Sequence, residues 1–142
     1  MTNNAEEILQ RGSALLAPLL IKHGFIFKAL EAGGSSGGYF ASGEFVRDTR
    51  RLELHFRHSL GMVTYHLAAR SMSHQDYMRS ALGRQFASHY PGFSHDPLDA
   101  FRDLNMDLKE YGNEFLDGSD SALLRRFEDV LTQTKPLSRP PD

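Results

Sequence analysis

Apolar and polar positions alternate from Arg51 to Arg70, RLELHFRHSLGMVTYHLAAR, and predict a β-hairpin around which the rest of the chain is arranged. Leu52, Leu54 and Phe56 alternate with Glu53, His55 and Arg57; Val63, Tyr65 and Leu67 alternate with Thr64, His66 and Ala68. A period of two places each set on one side of a pleated strand. With a two-residue turn at Ser59-Leu60, Phe56 lies opposite Val63, Leu54 opposite Tyr65 and Leu52 opposite Leu67. Glu53 then faces His66 and His55 faces Thr64 on the polar side, at a spacing where cross-strand neighbours touch. A slip of one residue would set one strand's apolar side chains against the other's polar ones, so the pattern fixes the faces. Leu60 is a poor residue for a primed turn, and a longer loop with Gly61 at positive φ is the alternative.

Two strands precede the hairpin. Phe25 to Ala32 sets Phe25, Phe27 and Ala29 on one side, and Tyr39 to Arg47 does the same with Tyr39, Ala41, Gly43 and Phe45. The run Gly33-Gly34-Ser35-Ser36-Gly37-Gly38 between them lacks a Gly-Lys-Ser/Thr ending and leads into a strand pattern. It reads as a hairpin loop rather than a phosphate loop. A tight turn at Asp48-Thr49 pairs Arg47 with Arg50, which sets Phe45 opposite Leu52, Ala41 opposite Phe56 and Glu44 opposite Glu53.

Helical periodicity occupies the remainder. Asn3 or Asn4 can cap a first helix with Glu6 and Glu7 in its first turn. Its apolar face is Ile8, Leu9, Leu15, Leu16, Leu19 and Leu20, Pro18 should bend it or end its regular part, and Gly24 closes it. Ser73 with Asp76 opens a helix from His74 to about Tyr90 on Met78, Leu82, Phe86 and Tyr90. Ser94 or Asp96 caps the next, with Pro97 at its first position; Leu98, Phe101, Leu104, Leu108, Tyr111 and Phe115 carry it to Gly118. A last helix spans about Asp120 to Thr132. The expected class is α+β: an N-terminal helix, a four-stranded antiparallel meander sheet, then three C-terminal helices packed on one face. Residues 1–134 form one domain and 135–142, KPLSRPPD, an extended tail.

Composition narrows the function classes. At 142 residues with 40% hydrophobic and 24% charged content, the chain suits one globular domain. No cysteine is present, which removes disulfides and thiolate metal sites. No apolar run reaches the roughly 18 residues of a membrane helix, and the acidic N-terminus is unlike an export signal, so a cytoplasmic protein with no membrane partner is expected. A net charge of −2 gives no field for polyanions, and nucleic acid is not an expected partner. No cofactor motif appears.

Candidate chemistry gathers on the polar side of the sheet. Glu44, Glu53, His55, Arg57 and His66 are the candidate ligand-binding residues: neutral imidazole and carboxylate are common metal ligands, and a Glu–His pair can move protons. Their spacing matches no HExxH or finger pattern, so no metal is assigned and no catalytic residue is named. Asp99, Asp103, Asp107, Glu110 and Glu114 make an acidic row that suits a basic partner, or Arg125 and Arg126. Arg47, Arg50, Arg51 and Arg57 gather near one end of the sheet, where they could meet phosphate or an acidic protein. No GxSxG or comparable nucleophile motif is present. In element order, though in no motif, the chain resembles small bacterial domains of unknown function, some toxin-immunity proteins among them; the resemblance transfers no site residue.

The expectation is a small soluble non-enzymatic binding or regulatory protein acting through protein–protein contact, its partner another protein or a second copy. The alternative is a metal- or small-ligand-binding domain using the His/carboxylate cluster, with Glu53 and His66 as an acid–base pair in its catalytic form.

Overall fold

The structure is a computed structural model in which residues 4–35, 38–82, 90 and 95–134 are described. Helix α1 (Asn4–Lys22) leads into five strands: β1 (Ile26–Ser35), β2 (Gly38–Arg47), β3 (Arg50–Phe56), β4 (Leu60–Leu67) and β5 (Arg70–Ser73). They form one antiparallel sheet in the order β1-β2-β3-β4-β5. Helices α2 (His74–Leu82), α3 (Asp99–Tyr111), α4 (Asn113–Leu116) and α5 (Asp120–Thr134) follow. The α+β class and the meander stand as expected.

The apolar faces are those the alternation predicts. Phe45, Leu52, Leu54, Phe56, Val63, Tyr65 and Leu67 are all buried. Helix side chains meet them there: Phe101 of α3 stacks near Phe56, and Tyr77 of α2 and Phe115 of α4 enclose Tyr65. Gly12 of α1 admits this packing, since a Cβ on it would lie 2.4 Å from the Phe101 ring. The β2–β3 register is the predicted one, with Arg47 opposite Arg50, Glu44 opposite Glu53 and Phe45 opposite Leu52.

The β3–β4 register differs by two residues. Leu52 pairs with Tyr65, Leu54 with Val63, Glu53 with Thr64 and His55 with Met62. A shift of two leaves every side chain on its face, so the apolar pattern cannot distinguish the two registers. The loop decides. Residues 57–59 make the connection, Leu60 lies opposite Phe56, and an irregularity after it returns Val63 to the core side. Leu60 is therefore a core residue, 3% exposed, and Gly61 does not take positive φ.

The fifth strand was not expected. Its turn, Ala68-Ala69, carries none of the usual turn residues, and Ala68 nonetheless adopts φ 54°. The Ala68 N–H donates to the Thr49 carbonyl (2.9 Å), which ties this turn to the β2–β3 turn and offsets part of the strain.

Two helices also depart from expectation. The helix expected from Pro97 to Gly118 breaks at Gly112, where an added Cβ would lie 2.7 Å from the Leu108 carbonyl oxygen. The break lets Phe115 lie 5.3 Å from Phe25 and 4.8 Å from Tyr65, ring centre to ring centre. Tyr90, expected at the end of a helix starting at His74, is buried but outside any helix; residues 83–89 of that expected helix and the tail lie outside the described residues. Elsewhere Ser73 Oγ accepts from the Asp76 N–H and Gly24 at φ 89° ends α1, as expected. Asp96 is not the cap of α3, which begins at Asp99 with Leu98 at its N-cap and no side-chain cap; Asp96 Oδ1 accepts from the Leu98 N–H just ahead of it. Helix α1 runs through Pro18, whose missing hydrogen bond falls at exposed Ala14. Among the described residues no helix is long and apolar enough to cross a membrane.

Candidate functional site

Helices pack on one face of the sheet, and the five candidate residues stand on the other. There the side chains pair across strands. Glu44 on β2 is 6% exposed and accepts from Arg51 Nη1 at 2.7 Å, so Arg51 supplies the positive charge that lets Glu44 lie opposite Glu53. Glu53 Oε1 meets His66 Nε2 at 2.8 Å, a diagonal contact rather than the directly opposed one expected, because of the two-residue register shift. His55 stacks on Phe40 (ring centres 5.7 Å, planes 11° apart), and the Arg57 guanidinium lies 5.4 Å from the centre of the same ring. Arg57 also donates to the Gly38 carbonyl at 3.3 Å.

The five residues thus share one face but resolve into separate pairs. Among the described residues, no three His, Asp or Glu side chains converge so as to hold a metal ion. What the face offers chemically is one half-exposed Glu–His pair and a flat stack of Phe40, His55 and Arg57.

The arginines expected to form an external patch divide between the two faces. Arg47 Nη1 donates to the carbonyls of His23 (2.6 Å) and Leu116 (2.7 Å), and its guanidinium lies 4.7 Å from the Phe25 ring centre. Arg50, 4% exposed, donates from Nη1 to Phe115 O (2.7 Å) and from Nη2 to Gly118 O (2.5 Å) and Asp120 Oδ1 (2.8 Å). Two arginines flanking one tight turn therefore satisfy carbonyls at the ends of α1 and α4, which have no partner within their own helices. From the acidic row, Glu114 pairs with Arg126, one of the two internal partners foreseen for it.

The core side holds a constellation the sequence reading missed. Tyr65 Oη lies 2.7 Å from His74 Nδ1, and His74 Nε2 lies 2.8 Å from Asp107 Oδ2. The Tyr90 N–H donates to the same carboxylate oxygen at 3.0 Å, and the Tyr90 hydroxyl donates to the Leu60 carbonyl. With its proton on Nε2, a neutral His74 donates to Asp107 and accepts the Tyr65 hydroxyl proton. The order hydroxyl, imidazole, carboxylate is that of a nucleophilic triad. Its surroundings are not: Tyr65 and Asp107 are fully buried and His74 is 2% exposed, so no substrate atom can approach the hydroxyl. The chain of contacts ties β4, α2, α3 and Tyr90 together. A signal for it existed in the sequence, since Asp107 sits three residues after Leu104 and four before Tyr111, inside the apolar stripe.

Two clefts flank Tyr90. One, of about 370 Å³, is lined by Leu60, Val63, Thr64, Ser73 and His74; the other, of about 390 Å³, by Arg57, His58, His95, Asp96 and Asp103. Both ring nitrogens of His74 are engaged in the core, so the first cleft meets little of the imidazole's chemistry.

Burial of the tyrosines gives a pH prediction. Desolvation is the main cause that pushes Tyr77 and Tyr90 from 10.0 up to about 12, and it holds Tyr65 well above its usual value. A raised native pKa means the unfolded chain releases these protons first as pH rises. Their stabilising contribution is complete below about pH 10 and is lost as pH rises toward about 12. Alkaline unfolding and tyrosinate absorbance should therefore appear together in that range. Tyr77 and Tyr90 ionising near pH 10 in a chain that stays folded would contradict this.

Comparison of the chain with protein-family models, with curated proteins and with solved structures finds no match in any of the three.

Proposed function

We propose that this chain is a non-enzymatic binding or regulatory protein that works by contact with protein chains, through the β1 side of its sheet. One observation carries the reading. β1 is a ten-residue strand at the edge of the sheet, and only β2 pairs with it among the described residues. A free edge presents a row of backbone donors and acceptors, and natural sheets shield such edges by shortness, charge or proline. Here Ile26 and Leu30 are 72% and 42% exposed, and Lys28 and Glu31 are the edge's only charged residues. Adding a strand to such an edge is a standard mode of protein recognition. The reactive-looking triad, sealed in the core, supports structure rather than turnover, and on the opposite face Glu53 pairs with His66, Glu44 with Arg51, and His55 and Arg57 each with the Phe40 ring.

The test is site-specific photo-crosslinking in lysate of the source cells. A photoreactive residue at position 26 should give adducts with protein chains, and one at exposed Ser71 on β5 should give few. Equal yields from the two positions, or no protein adducts at position 26, would overturn the reading.

A further inference from the structure

We infer that the β1 edge pairs antiparallel with β1 of a second copy of this chain, joining two five-stranded sheets into one of ten strands. The inference rests on the reading of β1 as a contact surface and names its occupant. At the irregularity between Ala29 and Ala32, two residues, Leu30 and Glu31, stand against Ser42 alone. The Ser42 hydroxyl accepts from the Glu31 N–H at 3.2 Å and so holds the extra residue in place. Such a bulge shifts the alternation by one. Phe27 and Ala32, opposite Phe45 and Ala41, therefore share the core side, and Ile26 and Gly33 share the other.

A two-fold axis between Ala29 and Leu30 uses that shift. It sets Phe27 opposite Ala32 of the second copy, Ile26 opposite Gly33, and Lys28 opposite Glu31, the members of these three pairs lying on the same side of the sheet, with the bulged Ala29 and Leu30 at the axis. In an unbulged strand, Lys28 and Glu31 would point to opposite faces and could not pair in this way. The edge's one cation and one anion thus complement each other twice across the axis, as an isologous interface requires. A foreign strand would have to bring its own complement.

The experiment is sedimentation velocity over a wide concentration range, combined with charge reversal. The wild-type chain should sediment as a species of twice the 16.0 kDa of one chain. Lys28→Glu and Glu31→Lys, both at exposed positions, should each weaken association at least tenfold, because each creates two like-charged pairs. The double variant Lys28→Glu/Glu31→Lys should restore it. Melting curves of all four proteins should coincide under monomeric conditions, which separates loss of pairing from loss of fold. A wild-type monomer up to millimolar concentration overturns the inference, and crosslinking at position 26 then still decides the broader reading. A dimer indifferent to both single reversals, or one the double variant fails to restore, overturns it equally.

Discussion

Asp107→Ala should lower the free energy of unfolding by about 3–5 kcal/mol, because it deprives two buried donors of their carboxylate acceptor and opens a cavity in the core. Asp107 has no exposed surface, and one of its oxygens receives both His74 Nε2 and the Tyr90 N–H. Truncation leaves these two donors in the core without that acceptor, and each such loss costs about 1–3 kcal/mol. The cavity left by the carboxylate adds to this. Since a domain of this size has about 5–15 kcal/mol in total, the variant should unfold at much lower denaturant. His74→Phe should also destabilise, by taking from the Tyr65 hydroxyl its imidazole partner and from the carboxylate one of its donors. Because the two residues share one hydrogen bond, the double variant His74→Phe/Asp107→Ala should cost less than the sum of the single changes. Guanidinium unfolding of the three variants is the measurement. An Asp107→Ala midpoint equivalent to less than about 0.5 kcal/mol of change would show that the network is not what holds α2, α3 and Tyr90 together.

Arg50→Ala should cost about 3 kcal/mol, roughly 10 °C in melting temperature. Its guanidinium is the shared donor for carbonyls around the α4 terminus and for Asp120 at the start of α5, and it lies in a nearly closed environment. Arg50→Lys should recover little, because one ammonium cannot reproduce a planar fork that reaches several acceptors at once. Hydrogen exchange should localise the damage, with amides from Phe115 to Leu123 losing protection before those of β3. Uniform loss of protection, or full rescue by lysine, would contradict the role assigned to the fork.

Arg50 also shows where reading the chain stops. Four arginines near one end of the sheet suggest an anion site, and nothing in the local sequence says that two of them bend toward carbonyls sixty-odd residues away. The choice between solvent and Leu116, Phe115 or Gly118 is made only when α4 has docked. His74 is the same case. At a helix start a histidine needs no partner, and it acquires two because Tyr65 arrives from β4 and Asp107 from α3.

By itself the sequence determined which apolar residues of β3 and β4 face the core, Leu60 apart, together with the β2–β3 register, the capping of α2 by Ser73 and the α+β order of elements. These depend on periodicity and on side-chain-to-backbone contacts a few residues apart, which short windows contain. The tertiary structure alone decided the β3–β4 register, the fifth strand, the break at Gly112 and the pairing of the buried polar groups. Shifting a strand by two residues preserves every face, so only loop geometry selects the register. A turn of two alanines carries no local preference for reversal, and a hydrogen bond to Thr49 from another hairpin ties it in place. Buried donors and acceptors must be satisfied wherever partners can be found, and in this fold those partners lie tens of residues away along the chain.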